Sequence, residues 1–137
     1  MTATYYKFNS FVEALAEKVH NLGSDALTLA LTNTAPVATN TVLANITEVA
    51  YTYCSTRVVT VSASAQTLGV YKLTLTSLTL TATGGDVGPF RYVVLYNDDA
   101  TSDELIMYYD LGSNVTITDG NNYIIGFSGT SGAFTLT

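Results

Sequence analysis

The chain is 137 residues long, 47% hydrophobic and only 12% charged, with a formal net charge of −6. That length supports a single domain with a real core, and the lone cysteine, Cys54, excludes an intrachain disulfide. The acidic balance argues against non-specific nucleic-acid binding, which needs Lys and Arg on phosphates, and no apolar stretch approaches the ~20 residues that span a bilayer.

The opening, Met1 to Phe8, lacks the basic start and continuous apolar run of a secretory signal. The expectation is therefore a protein made in cytoplasm-like conditions, with no membrane and no nucleic acid among its partners. Thr and Ser fill the space left by missing charge. Thr is β-branched and suits a pleated, half-wet surface, so the composition predicts strands. A surface short of charge is also one inclined to associate.

Taken in order, the first element is a helix at about Ser10 to Leu22. Ser10 with Glu13 matches a capping box. Phe11, Leu15, Val19 and Leu22 make one apolar stripe, predicted to dock on the β core through Phe11, Leu15 and Val19. Lys18 and His20 sit near the C-terminal end, and Gly23 fits a left-handed stop. Ala26 to Leu31 then alternates, with Leu27, Leu29 and Leu31 on one face, and Asn33 to Pro36 ends that strand.

From Val37 to Thr52 the pattern is weak; Ile46 and Val49 would suit one helical turn within a long connection. Arg57 to Ser62 reads as a strand. Val70 to Leu75 and Leu78 to Ala82 read as a hairpin across Thr76 and Ser77, and Gly84 to Pro89 as a loop.

The stretch from Gly88 to Gly120 organises the rest. Phe90 to Tyr96 puts Phe90, Tyr92, Val94 and Tyr96 on one face and Val93 and Leu95 on the other, broken only by Arg91. A strand apolar on both faces belongs in mid-sheet or under a cover. Asn97 to Asp99 supplies turn chemistry, and Leu105 to Tyr109 is a second two-faced run, predicted to pair antiparallel with the first. Asn114 to Thr118, a turn at Asp119 to Asn122, Tyr123 to Phe127 and a final Phe134 to Leu136 complete the strands.

About eight short strands with turn signals every 8–12 residues or so indicate a mainly β fold. The predicted architecture is one domain over 1–137, an antiparallel two-sheet β-sandwich, jelly-roll or immunoglobulin-like, with one N-terminal amphipathic α-helix.

Catalytic chemistry is sparse. His20 is the only histidine, and one His with one Cys leaves a zinc site to carboxylates. The nucleophile-elbow pattern fails at Ser128, followed two residues on by Thr130, and at Ser131, where Ala133 stands in place of glycine. Gly84, Gly85 and Gly88 lack the spacing and lysine of a phosphate loop. Asp98, Asp99, Asp103 and Glu104 cluster, but not at EF-hand spacing, and read as a solvated turn before a calcium site. Tyr5, Tyr6, Tyr51 and Tyr53 read as a protein interface before a sugar platform. Asn45-Ile46-Thr47 and Asn114-Val115-Thr116 are formal glycosylation sites, meaningful only in a secreted eukaryotic protein. The expectation is no enzyme: no catalytic residue, no cofactor site and no metal site.

Two stretches together resemble a family of small tailed-bacteriophage virion structural proteins. Lys7 to Glu13 and Leu29 to Pro36 resemble its opening. Gly88-Pro89-Phe90-Arg91-Tyr92, Leu95-Tyr96-Asn97-Asp98 and Tyr109-Asp110-Leu111-Gly112-Ser113, leading to Asp119-Gly120, resemble its later hallmark. Ala50 to Ser62 departs from the Gly-rich loop expected there. The resemblance implies a virion protein made in the host bacterial cytoplasm, above all a capsid decoration (cement) protein on the head surface. Its implied partners are the major capsid protein and copies of itself, as dimer or trimer. A tail, baseplate or fibre module, with or without host-glycan binding, is the alternative.

Overall fold

The structure is a computed structural model and describes residues 4–129 and 132–137. The start of the chain read for a signal, Met1 to Ala3, and Thr130 and Ser131 of the serine patterns lie outside the described residues. The fold is mainly β, all antiparallel, with one α-helix. In chain order the elements are β1 (Thr4–Lys7), α1 (Ser10–Ala16), β2 (Leu27–Thr32), β3 (Val58–Val59), β4 (Val61–Thr67) and β5 (Val70–Leu75). They continue with β6 (Leu78–Thr81), β7 (Val87–Asn97), β8 (Leu105–Ile117), β9 (Asn122–Ile125) and β10 (Phe134–Leu136).

The strands fall into three open sheets, where two were expected: β1-β8-β7-β2-β3, β10-β5-β4 and β6-β9. The two-faced β7 does lie in mid-sheet, between β8 and β2. Its inner face meets a core shared by all three sheets. Leu29 of β2, Leu95 of β7 and Met107 of β8 stand side by side there, packed in one cluster with Leu73, Leu80, Ile125 and Phe134. Each such side chain sealed from water contributes roughly 1.5–3 kcal/mol. Phe90 joins this inner cluster, not the Tyr92 and Val94 face, because the β7–β8 register shifts between Phe90 and Tyr92. A bulge of this kind turns a side chain to the other face. The outer face has a smaller cluster of Phe8, Ala30, Val94, Tyr96 and Leu105, covered by Leu43 and Ile46 from the long connection after β2. That connection carries a single 3₁₀ turn at Leu43–Asn45, pinned where Asn45 Oδ1 accepts the Thr41 and Val42 N–H groups.

Several expectations are corrected. The helix ends at Ala16 and not at Leu22. Lys18, not Gly23, takes the left-handed turn at φ 69, which frees the next residues to bury His20 and Leu22 and leaves Val19 exposed. Phe11 is buried and Leu15 partly so. The capping box does not form, because Ser10 is already helical and Asn9, in the cap position, makes no side-chain bond. The strand read over Arg57 to Ser62 is two strands, β3 and β4, in different sheets. β5 and β6 are not a hairpin: β5 pairs with β4 and β10, and β6 with β9. The true hairpin turns at Leu68 and Gly69, both at positive φ. Asn114 to Ile117 continues β8 and does not start a new strand, and β9 turns away from it to β6. Val87 to Pro89, read as loop, begins β7.

Candidate interaction surface

The outer face of the five-stranded sheet gathers tyrosines from three adjacent strands. Register sets Tyr6 of β1 opposite Tyr108 of β8, and Tyr108 opposite Val94 of β7. The Tyr6 and Tyr108 rings stack with centroids 5.1 Å apart at 25°. Tyr92 meets Tyr108 edge-on at 6.3 Å, and Phe8 tilts against it at 5.2 Å. Phe8 is fully buried, whereas Tyr6 keeps 45% of its surface exposed, so the cluster is anchored at one end and open at the other. Each such ring pair adds about 0.5–1.5 kcal/mol beyond its burial.

A charged pair borders this face. Arg91 Nε donates to Asp110 Oδ1 at 2.8 Å and Nη2 to Oδ2 at 3.1 Å. The guanidinium carbon lies 5.5 Å from the Tyr92 ring centroid. The Arg91 bond holds the Asp110 carboxyl below its ordinary range, helped by the Gly112 N–H, which donates to Oδ1 at 2.8 Å. Two parallel bonds fix orientation as well as charge. Arg91, which by periodicity interrupts an apolar strand, is thus half of a bidentate pair. Its acidic partner on the next strand, Asp110, stands in a later part of the hallmark, so two pieces of it meet here.

A seam opens between the edge strands β1 and β10. A cavity of about 210 Å³ there is lined by Tyr5, Lys7, Phe11, Met107, Phe134 and Leu136, among others. Tyr5 also borders a second hollow with Tyr109 and Phe127. Burial pushes the Tyr109 phenol up to about 12, with the neighbouring Tyr5 adding to the shift.

The other residues singled out in the sequence are dispersed. His20 is buried near the start of β2, its Nδ1 3.0 Å from Asn97 Nδ2, which also donates to Asp25 Oδ2 at 2.6 Å. Asn97 Oδ1 accepts the Asp99 N–H at 3.0 Å. With the amide donating, the imidazole proton falls on Nε2, which has no partner. This is a joint that holds the turn after β7, and burial lowers the pKa of its imidazole. Asp99 Oδ2 accepts the Ala26 N–H at 2.8 Å and Glu104 the Ser102 N–H at 3.2 Å, so both serve the turn. Among the described residues no group of three or more His, Cys, Asp or Glu is placed to hold a metal ion. No helix there is long and apolar enough to cross a membrane.

Only Tyr6 of the four tyrosines joins the aromatic face. Tyr5 lines the seam. Tyr51 is structural: its hydroxyl accepts the Leu31 N–H at 2.9 Å and donates to Glu48 at 2.8 Å, with Arg57 3.5 Å over its ring. Tyr53 lies on Gly84 and Gly85, where a Cβ at Gly85 would collide with the ring. Cys54 is half-buried, and burial raises its thiol pKa. Comparison of the chain with protein-family models, with curated proteins and with solved structures found no match.

Proposed function

We propose that this chain is a bacteriophage virion structural protein, a capsid decoration protein that binds the outer surface of the head and stabilises it. The observation that carries the reading is that two separate stretches of the resemblance form one physical unit. Gly88 to Tyr92 and Tyr109 to Ser113 lie on the paired strands β7 and β8 and are locked by the Arg91–Asp110 bond and the Gly112 N–H. Gly88 holds φ +114, where a Cβ would strike the Val115 carbonyl oxygen at 2.7 Å. These are residues that make a particular frame, and the frame presents the tyrosine face. In this reading the two smaller sheets act together as the second layer of a sandwich. The partners are the major capsid protein and further copies of the chain, as dimer or trimer. Binding the closed lattice and not its looser forms stabilises the shell by mass action.

The aromatic face beside a bidentate Arg–Asp pair also supports the second reading, a tail, baseplate or fibre module that holds a host glycan. Labelled protein mixed with stripped heads and with whole tails separates the two. Heads that take up label should also release DNA at a higher temperature, and uptake should fall only modestly with salt, since Lys and Arg are few. Label on tails alone moves the protein to the second reading, and label on neither removes the virion reading.

A further inference from the structure

We propose that β1 is the strand through which two copies of this chain pair, antiparallel and edge to edge, about a two-fold axis at Tyr6. β1 is an outer strand of the five-stranded sheet, and all four of its residues are exposed. Its register against β8 runs from Thr4 opposite Asp110 to Lys7 opposite Met107, and the Phe8 N–H continues it by donating to the Ile106 carbonyl at 3.2 Å. Backbone groups alternate in direction along an antiparallel strand. Thr4, Tyr6 and Phe8 therefore direct theirs at β8, while Tyr5 and Lys7 direct their N–H and C=O groups outward, to an edge with no strand paired to it among the described residues.

The occupant is a second copy because the edge is complementary to itself. A two-fold axis at Tyr6 sets Tyr5 opposite Lys7 of the second copy, and Lys7 opposite its Tyr5. Those are the residues with outward backbone groups, so every one of them gains a partner. On the inner side each ammonium then lies beside a phenol ring, an attractive pairing, and no lysine faces a lysine. A lysine on a sheet edge ordinarily discourages pairing; in this register it meets a ring. On the outer side the two Tyr6 residues meet, each already stacked on its own Tyr108, and the aromatic row runs on from one sheet into the next. A foreign strand would satisfy the same backbone groups, but nothing in its side chains would be selected.

This deepens the self-association proposed above and does not depend on where in a virion the protein sits. Sedimentation at high micromolar concentration should show a dimer. Lys7→Pro removes one outward N–H and the ammonium while leaving the Tyr6 and Phe8 bonds to β8, a place where proline is tolerated. It should weaken the dimer about tenfold or more without lowering the melting temperature of the dilute chain. In a Cys54→Ala background, Tyr6→Cys should cross-link on mild oxidation. Residues facing each other at such a non-hydrogen-bonded position have Cα atoms about 4.5 Å apart, within disulfide reach. Thr4→Cys should not cross-link. A chain that stays monomeric overturns both the edge and the self-association. A dimer indifferent to Lys7→Pro, or one that cross-links no better through Tyr6→Cys than through Thr4→Cys, overturns the edge and leaves self-association standing. Should Lys7→Pro fail to fold, the cross-linking pair decides alone.

Discussion

The two faces of the five-stranded sheet come from the same strands, a residue apart. On the inner face Leu29, Leu95 and Met107 form a row sealed from water. On the outer face the next row, Ala30, Val94, Tyr108 and Tyr6, grows larger and wetter toward the edge, from a fully buried alanine to a tyrosine 45% exposed. The inner row is what a core needs, volume without polar atoms. The outer row carries hydroxyls into solvent and spends ring area on a surface that folding alone does not require. One sheet therefore has a face closed against the core and a face that opens toward solvent at its β1 edge.

The largest effect expected from breaking this division is on the inner row. Leu95→Ala should cost about 2–5 kcal/mol in urea unfolding, as a fully buried leucine does. Tyr92→Ala on the outer face should cost about 1 kcal/mol, the scale of a single ring pair. Equal losses would mean that the tyrosine end of the outer face is held as tightly as the core.

A smaller, pH-dependent effect belongs to His20, between these regimes. Burial lowers its pKa, opposed by Glu104 and Asp25. Below its ordinary value of 6.5 the unfolded chain therefore binds a proton that the folded chain resists. Its contribution to stability is complete above about pH 6.5 and is lost as pH falls from there toward the folded pKa. Urea midpoints measured from about pH 8 to 5 should slope downward, and His20→Gln should flatten the slope. A slope unchanged in the variant would assign it to other groups.

The smallest effect concerns Arg91. The pair lies at the surface, half-buried and open to water, so Arg91→Gln should move the unfolding midpoint only slightly. The Asp110 carboxyl should titrate closer to its ordinary value, though still below it, since the Gly112 N–H remains. Side-chain NMR titration reads this directly. An unmoved Asp110 would show that the backbone bond, and not Arg91, sets its charge.

Legibility in the sequence followed the same division. The β7 and β8 runs were readable because a strand apolar on both faces has few places to go, and Leu27 to Leu31 alternates as its pairing requires. The partners of β5 and β6 were not readable. Alternating leucines name a face but not a neighbour, and Leu78 pairs with Ile125 from far along the chain. The helix was overread because Glu17 to Leu22 has respectable helical character, yet burying His20 against Asn97 and Leu22 in the core outweighs it. Of the candidate surface, physical reasoning on the sequence points to Tyr6 alone, while Arg91, Tyr92 and Asp110 enter only through the resemblance. By periodicity Tyr92, Tyr108 and Asp110 look like ordinary strand residues until register brings them beside Tyr6 and Arg91.

The strand order β1-β8-β7-β2-β3 has a consequence for synthesis. β2, six residues all buried in the finished fold, pairs chiefly with β7, and β1 pairs with β8. At the usual ribosomal rate of roughly 5–20 residues per second, β2 emerges seconds before β7 exists. During that interval Leu27, Leu29 and Leu31 have only the neighbours made by then, Phe11, Leu22, Tyr51 and the two-residue β3, and lack the strand that pairs with them along their whole length. The Leu27–Thr32 segment is thus the part of the core whose main partner arrives last, an apolar strand with an open edge until β7 is made.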